Sequence, residues 1–212
     1  MLLNAVAAHA FGPYTAGQSG YDISYPQCPG TSAPSGSFGI IGVNDGRPFT
    51  VNPCFGNEYS GAANSVYMNT GYARAYRSNI TVGCSTGPST AWKIGCSEAE
   101  TSIKYAHAYG VESIAMWWLD VEILNKWSPD LALNRFTLQG TVTRLSQTDL
   151  PVGIYSSEPM WLMITGSMMA PGYLSAEWNA AGSCTVPFTR MTQLPVWLGQ
   201  HVYSDLDHDT AC

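Results

Sequence analysis

Trp117-Trp118-Leu119-Asp120-Val121-Glu122 closes an apolar run that begins at Ser113 and carries no charge before Asp120. Such a run reads as a strand buried on both faces, the pattern of a parallel sheet covered by helices. Carboxylates at i and i+2 of a strand share one face, their Cα atoms roughly 6.6 Å apart, two strand rises. Acids at the exit of a buried strand are costly unless paired or used. That separation is also close to those at which two carboxyl groups share one glycosidic bond. The adjacent indoles suit a sugar face, so Trp118 joins Asp120 and Glu122 as a candidate site residue.

Working outward, further short apolar runs bounded by Gly, Pro, Asn or Ser predict strands at Gly20 to Tyr25, Phe38 to Val43, Ser65 to Thr70, Pro151 to Ser156, Tyr173 to Asn179 and Pro195 to Val202, with Ser113 to Val121 as the fourth of seven. Helical stretches lie between them. One is expected from Ser97, with Glu100 three residues on as a capping box, to Tyr109 before Gly110. A second is expected from Ser128 with Pro129 at its first position and Leu131, Leu138, Val142 and Leu145 as its apolar stripe. A third spans Pro159 to Ile164. Strands alternating with helices imply right-handed crossovers and a parallel sheet, and seven or eight of them suggest a closed α/β barrel of TIM type. An open doubly wound sheet is the rival. No Gly-rich phosphate loop follows the first strand, which argues against dinucleotide-binding and P-loop proteins.

Composition bounds the partners. The 212 residues suit one large domain, read as 20–212 behind an N-terminal segment 1–19. Only 11% of the residues are charged, against roughly 25% in ordinary soluble domains. That balance, with abundant Gly, Tyr and Trp, suits secreted carbohydrate-active proteins. A net charge of -6 and a pI near 5.0 leave no basic patch for nucleic acid. No apolar stretch reaches the roughly 20 residues that span a bilayer. Met1 to Ala10, ending Ala8-His9-Ala10, resembles the tail of a secretory signal without its charged start.

The six cysteines contain no C-x-x-C pair, which leaves zinc-ribbon and thioredoxin readings unsupported and favours disulfides in an oxidising compartment. Cys84 with Cys96 is the favoured bond, because the Gly, Ser, Thr and Pro between them form a loop that profits from closure. Cys184 with Cys212 is the second, tying down a C-terminus that otherwise frays.

Barrels of this kind gather their active sites at the C-terminal ends of the strands. That rule collects Asp22, the Asp120 and Glu122 pair, and Asp207 or Asp209 after the last strand. Tyr67, Asn69, Tyr155, Trp178 and Gln200 join them as a polar and aromatic ring suited to a polysaccharide.

The ordered set Asp22-Ile23-Ser24, Leu119-Asp120-Val121-Glu122, Gly153-Ile154-Tyr155-Ser156, Glu177-Trp178-Asn179-Ala180 and Asp207-His208-Asp209 resembles glycoside hydrolase family 25, the Chalaropsis-type lysozymes, from about Tyr21 to the end. The cysteine-bearing segments Tyr21 to Cys28 and Asn52-Pro53-Cys54 look like a lysozyme-like branch from secreting actinobacteria. The resemblance implies a modified eight-stranded barrel, irregular in its last strands, that cleaves the muramic acid to glucosamine linkage of peptidoglycan. It also suggests Asp120 as the group that orients a substrate acetamido, with Asp207 taken as the family's last acid and Asp209 as its substitute. Four segments depart from the family's pattern: Pro26 precedes Gln27, Tyr67-Met68-Asn69 stands where Tyr-His-Phe is common, Trp197-Leu198-Gly199-Gln200-His201 replaces Trp-Gln-Tyr, and Asp207-His208-Asp209 stands in place of the closing D-x-N.

Glu122, at the end of a buried strand beside tryptophans, is expected to keep its proton and act as general acid, with Asp120 ionised and Asp22 and Asp207 in support. No cofactor or metal is expected: His201, Asp205, Asp207, His208 and Asp209 could ligate an ion, but the Gly and distal Glu of a calcium loop are missing. Ser24, Ser156 and Ser157 lack a nucleophile elbow, and His107 reads as a helix-face residue. Asn79-Ile80-Thr81 is a sequon that matters only in a eukaryotic secretory pathway. The expected protein is a secreted, monomeric glycoside hydrolase of bacterial cell-wall polysaccharide. Its rivals are a hydrolase of another wall polysaccharide, such as an arabinogalactan-type glycan, and a non-catalytic carbohydrate-binding barrel.

Overall fold

The structure, a computed structural model, describes residues 12–28, 34–59, 62–111, 113–166, 168–186, 192–203 and 206–212. The signal-like reading of Met1 to Ala10 and the candidate ligand Asp205 lie outside them. Eight strands close into a barrel in chain order: β1 Ser19–Ile23, β2 Phe38–Gly42, β3 Ala63–Asn69, β4 Met116–Asp120, β5 Val152–Ser156, β6 Leu174–Asn179, β7 Val196–Tyr203 and β8 Leu206–Ala211. Pairing is parallel from β1 through β7, while β8 runs antiparallel to both β7 and β1. The expected modified barrel with irregular last strands is therefore present.

The strand period of two explains why the Ser113 to Leu119 run carries no charge. Trp117, Leu119 and Val121 point outward into the layer between barrel and helices, with Ile41, Val66, Leu138, Val142 and Trp161. Met116 and Trp118 point inward, among Phe38, Ile40, Trp178 and Leu198. Tyr14 joins this inner cluster, donating its hydroxyl to Ser65 Oγ at 2.7 Å and accepting from Trp118 Nε1 at 2.9 Å. The first acid on the inward face above this filling is Asp120.

Among the described residues four α-helices accompany the strands: α1 Phe55–Glu58, α2 Thr90–Ala108, α3 Leu131–Leu145 and α4 Glu158–Thr165. Two starts differ from expectation. Helix α2 begins two turns before Ser97, capped by Ser89, whose Oγ accepts from Trp92 N at 3.2 Å. Ser97 is instead a tertiary contact, donating to the Lys93 carbonyl and accepting from Thr81 N, while Glu100 pairs with Lys104 and Thr81. Helix α3 is capped by Asp130, which accepts from Ala132 N, so Ser128 and Pro129 lie before the helix. Leu138, Val142 and Leu145 are buried as expected, while Leu131 is only partly so. The remaining difference is β8. Asp207 and Asp209, expected beyond the last strand, lie within it, because alternation sends Asp207, Asp209 and Ala211 inward, where a polar layer receives the acids.

Three disulfides are formed: the two expected pairs, Cys84–Cys96 and Cys184–Cys212, and Cys28–Cys54, which ties the segment after β1 to the start of α1.

Helices α2 and α3 cross backbone against backbone at two glycines. A Cβ on Gly95 would fall 1.9 Å from the Thr137 carbonyl oxygen, and one on Gly140 would fall 2.0 Å from that of Trp92. Alanine at an exposed helical site would gain about 1 kcal/mol over glycine. At this crossing Gly140→Ala is expected instead to destabilise by about 1–3 kcal/mol, because the helices must part. Chemical denaturation checks the sign, and a stability equal to or above the parent's would refute the close packing.

Candidate active site

The C-terminal ends of the strands open into a polar cleft of about 620 Å³, lined by Asp22, Tyr67, Asn69, Asp120, Glu122 and Asp207 together with Ser24, Tyr25, Gln27, Asp45, Arg47, Leu124 and Asn125. Its inner recess of about 130 Å³ shares four of these acids, Asp22, Asp120, Glu122 and Asp207, and adds Tyr155, Trp178 and Gln200. Sheet register assembles this set. Asn69 pairs with Asp120 across β3 and β4, Tyr155 with Asp120 across β4 and β5, and Asp22 with Asp207 across β1 and β8.

Each acid has a defined setting. Asp120 Oδ2 accepts from Asn69 Nδ2, whereas its Oδ1 is buried without a partner. Asn125, in the turn after Glu122, donates to the Asp120 carbonyl at 3.0 Å. Tyr155 donates its hydroxyl to Gln200 Oε1 at 2.7 Å, and Gln200 Nε2 donates to Asp22 Oδ2 at 3.0 Å. Tyr67 stands beside Ser24 because β2 has glycine there: a Cβ on Gly42 would fall 2.6 Å from Tyr67 Cζ. Trp178 packs edge-on to Tyr155 at 4.8 Å and to Tyr67 at 6.2 Å, and its ring lines the recess.

Two candidates lie below the cleft. Trp118 is fully buried, edge-on to Trp178 at 5.7 Å, with its N–H spent on Tyr14, so it supports the recess from underneath. Asp209 is buried one layer beneath Asp22 and accepts from Trp178 Nε1 at 2.8 Å. Burial and the charge of Asp22 raise Asp209 well above the carboxylate range, so it keeps its proton beneath Asp22.

The remaining carboxyls are raised as well. Burial, then Asp207, pushes Asp22 up to about 7, with Gln200 opposing as a donor. Burial and Glu122 raise Asp120 well above its ordinary value despite Asn69 and Asn125. Burial and Asp207 raise Glu122, and burial raises Asp207. A proton on Glu122 fits the expected general acid. Desolvation and the neighbouring carboxyls disfavour the ionised form expected of Asp120 in the free site.

The departures from the lysozyme pattern acquire physical meaning. Met68 faces outward among the helices and Asn69 inward on Asp120, so the altered third strand still delivers a donor to the acid. Pro26 lies in a 3-10 turn, Tyr25–Gln27, that leaves both Tyr25 and Gln27 on the cleft. Sequence reasoning missed Asn125, Tyr25, Asp45, Arg47 and Leu124; an Asn in the turn just beyond the paired acids was the one available signal. Among the described residues no cluster of three or more His, Cys, Asp or Glu has the arrangement to hold a metal ion.

Raised carboxyls couple the site to stability. Between about pH 4 and 7 the native protein holds a proton on Asp22 that the unfolded chain has lost, so stability falls as pH rises through that window. Asp22→Asn is therefore expected to stabilise the fold by about 1–3 kcal/mol at pH 7, with the gain gone near pH 4. Thermal melts across this range decide it: equal parent and variant profiles would remove the desolvation argument.

A family profile described as lysozyme-like protein 1 matches residues 50–181. A comparison with curated protein sequences returns no significant match. Among solved structures, GHIP, a glycosyl hydrolase 25 of Streptococcus pneumoniae, aligns with TM-score 0.60 and 16% identity over 92% of this chain and 87% of its own. The bacterial lysozyme from Streptomyces coelicolor aligns with TM-score 0.57 and 17% identity over 93% of each chain. Muramidase from Trichobolus zukalii gives 0.60 and 18%, over 92% of this chain and 93% of its own. At such identities the likeness is one of fold, and it agrees with the resemblance read from the ordered acid motifs. The profile match covers more than half of the sequence, and the chain belongs to the lysozyme-like protein 1 family.

Proposed function

We propose that this protein is a secreted glycoside hydrolase that cleaves a peptidoglycan-type cell-wall polysaccharide. The observation that carries this reading is the convergence of Asp22, Asp120, Glu122 and Asp207 on one cleft at the C-terminal end of the barrel, each carboxyl raised by burial. The fold shared with a lysozyme and a muramidase supports it. Three disulfides suit an oxidising compartment, and no described helix is long and apolar enough to cross a membrane. All the cleft acids come from one chain, so a monomer suffices.

In this mechanism Glu122, partly buried at the mouth and proton-bearing, protonates the leaving glycosidic oxygen. Asp120 offers a buried, unpartnered Oδ1 to the N–H of a 2-acetamido group, while Asn69 fixes its other oxygen. So oriented, the acetamido carbonyl oxygen attacks the anomeric carbon as the bond to the leaving oxygen breaks. Water then opens the cyclic intermediate, returning its proton through Glu122. Asp22, held by Gln200, and Asp207 beside it face the developing oxocarbenium charge. Tyr67, Tyr155 and Trp178 form the aromatic wall of the recess.

Glu122→Gln keeps shape and removes the proton. Release of reducing ends from peptidoglycan is expected to fall by about 10²–10⁴-fold at matched folding, with glycan binding retained. Parent-like turnover in the variant would sink the assignment of Glu122. Absence of release by the parent from both peptidoglycan and arabinogalactan-type glycan, with binding intact, would favour a binding barrel.

A further inference from the structure

At the opposite end of the barrel from the acids, a second cavity of about 350 Å³ opens where the C-terminal ends of α2 and α3 meet the beginnings of β4 and β5. Its apolar walls are Ile103, Val111, Ile114, Leu150 and the indole of Trp117. The size falls at the lower end of the roughly 300–1,000 Å³ of small-molecule sites.

The polar residues around it are Trp117, Arg144, Gln147, His107 and Thr148, the last with its hydroxyl spent on the Leu145 carbonyl. Trp117 is fully buried and its Nε1 has no hydrogen-bond partner, although a buried indole N–H ordinarily finds one. Arg144, in the last turn of α3, brings its guanidinium, and Gln147 and His107 stand at the edge. Arg144 makes no ion pair within 4 Å among the described residues; Glu100, near enough to feel its charge, is already paired with Lys104. No carboxylate among the described residues lines the cavity, in a chain whose net charge is -6. An orphaned indole donor and a guanidinium over an apolar floor are complementary to an anionic acceptor that carries a hydrocarbon body.

We propose that this cavity binds a small organic carboxylate, its apolar body on Ile103, Ile114 and Leu150 and its carboxylate between Trp117 Nε1 and Arg144. The assignment is independent of the hydrolase reading, because none of these residues belongs to the acid cleft.

Hexanoate is the probe, with hexanol as its neutral counterpart, titrated into the intact chain by calorimetry and by NMR of the ¹⁵N-labelled indoles. Hexanoate is expected to bind saturably and more tightly than hexanol, and to shift one indole resonance, which Trp117→Phe identifies by its loss. Arg144→Gln, at a partly exposed helix position, is expected to weaken hexanoate about tenfold and leave hexanol unchanged. Absence of saturable hexanoate binding at millimolar concentration would overturn the proposal. So would equal affinity for hexanol, equal hexanoate affinity in Arg144→Gln, or shifts confined to other indoles. The hexanol and Arg144→Gln comparisons need only the parent and Arg144→Gln, so they decide even where Trp117→Phe does not fold.

Discussion

The antiparallel insertion of β8 between β7 and β1 is the contact on which the site depends. It places Asp207 directly across from Asp22 and Asp209 one layer below, in register with Gly20. Parallel strands alone would bring Asp22 and Asp120 to the mouth, since strand ends meet there in any such barrel. Only the reversed strand supplies the acids that repel Asp22 from the side and crowd it from beneath. The C-terminus also owes its anchorage to β8, which ends at Ala211 beside the Cys184–Cys212 bond.

Below that mouth the barrel interior changes from polar to apolar in a single layer. Trp178 is the hinge of the change: its ring lines the recess, its N–H holds Asp209, and its underside meets Trp118. Trp118 in turn spends its N–H on Tyr14, whose own hydroxyl reaches Ser65. An aromatic column with its N–H groups hydrogen-bonded thus runs down the barrel axis, and the acids rest on it. Desolvation from this column raises the carboxyls and keeps a proton available at Glu122, at the expense of stability near neutral pH.

Legibility varied with the range of the contacts involved. The Ser113 to Leu119 run disclosed a two-sided strand because the period of two leaves no solvent-facing position to fill with a charge. The ordered acids disclosed the mouth of a barrel because strand ends are topologically equivalent there. Helix starts were harder to read. Ser97 and Glu100 imitate a cap, yet both are spent on Thr81, Lys93 and Lys104, partners that sequence spacing does not order by strength. Arg47 and Asn125 escaped notice because a loop residue's approach to a cleft depends on the path of the loop.

The sequence by itself determined the α/β alternation, the strand that carries Asp120 and Glu122, the bonds Cys84–Cys96 and Cys184–Cys212, and the identity of the mouth acids, because each rests on local period or loop length. Tertiary structure decided that Asp207 faces the cleft while Asp209 lies beneath it, that Trp118 is a support rather than a wall, and that Asp120 is buried among other carboxyls. Those distinctions are matters of depth along the barrel axis. Depth is set by sheet stagger and closure, which arise when eight strands from distant parts of the chain pair at once.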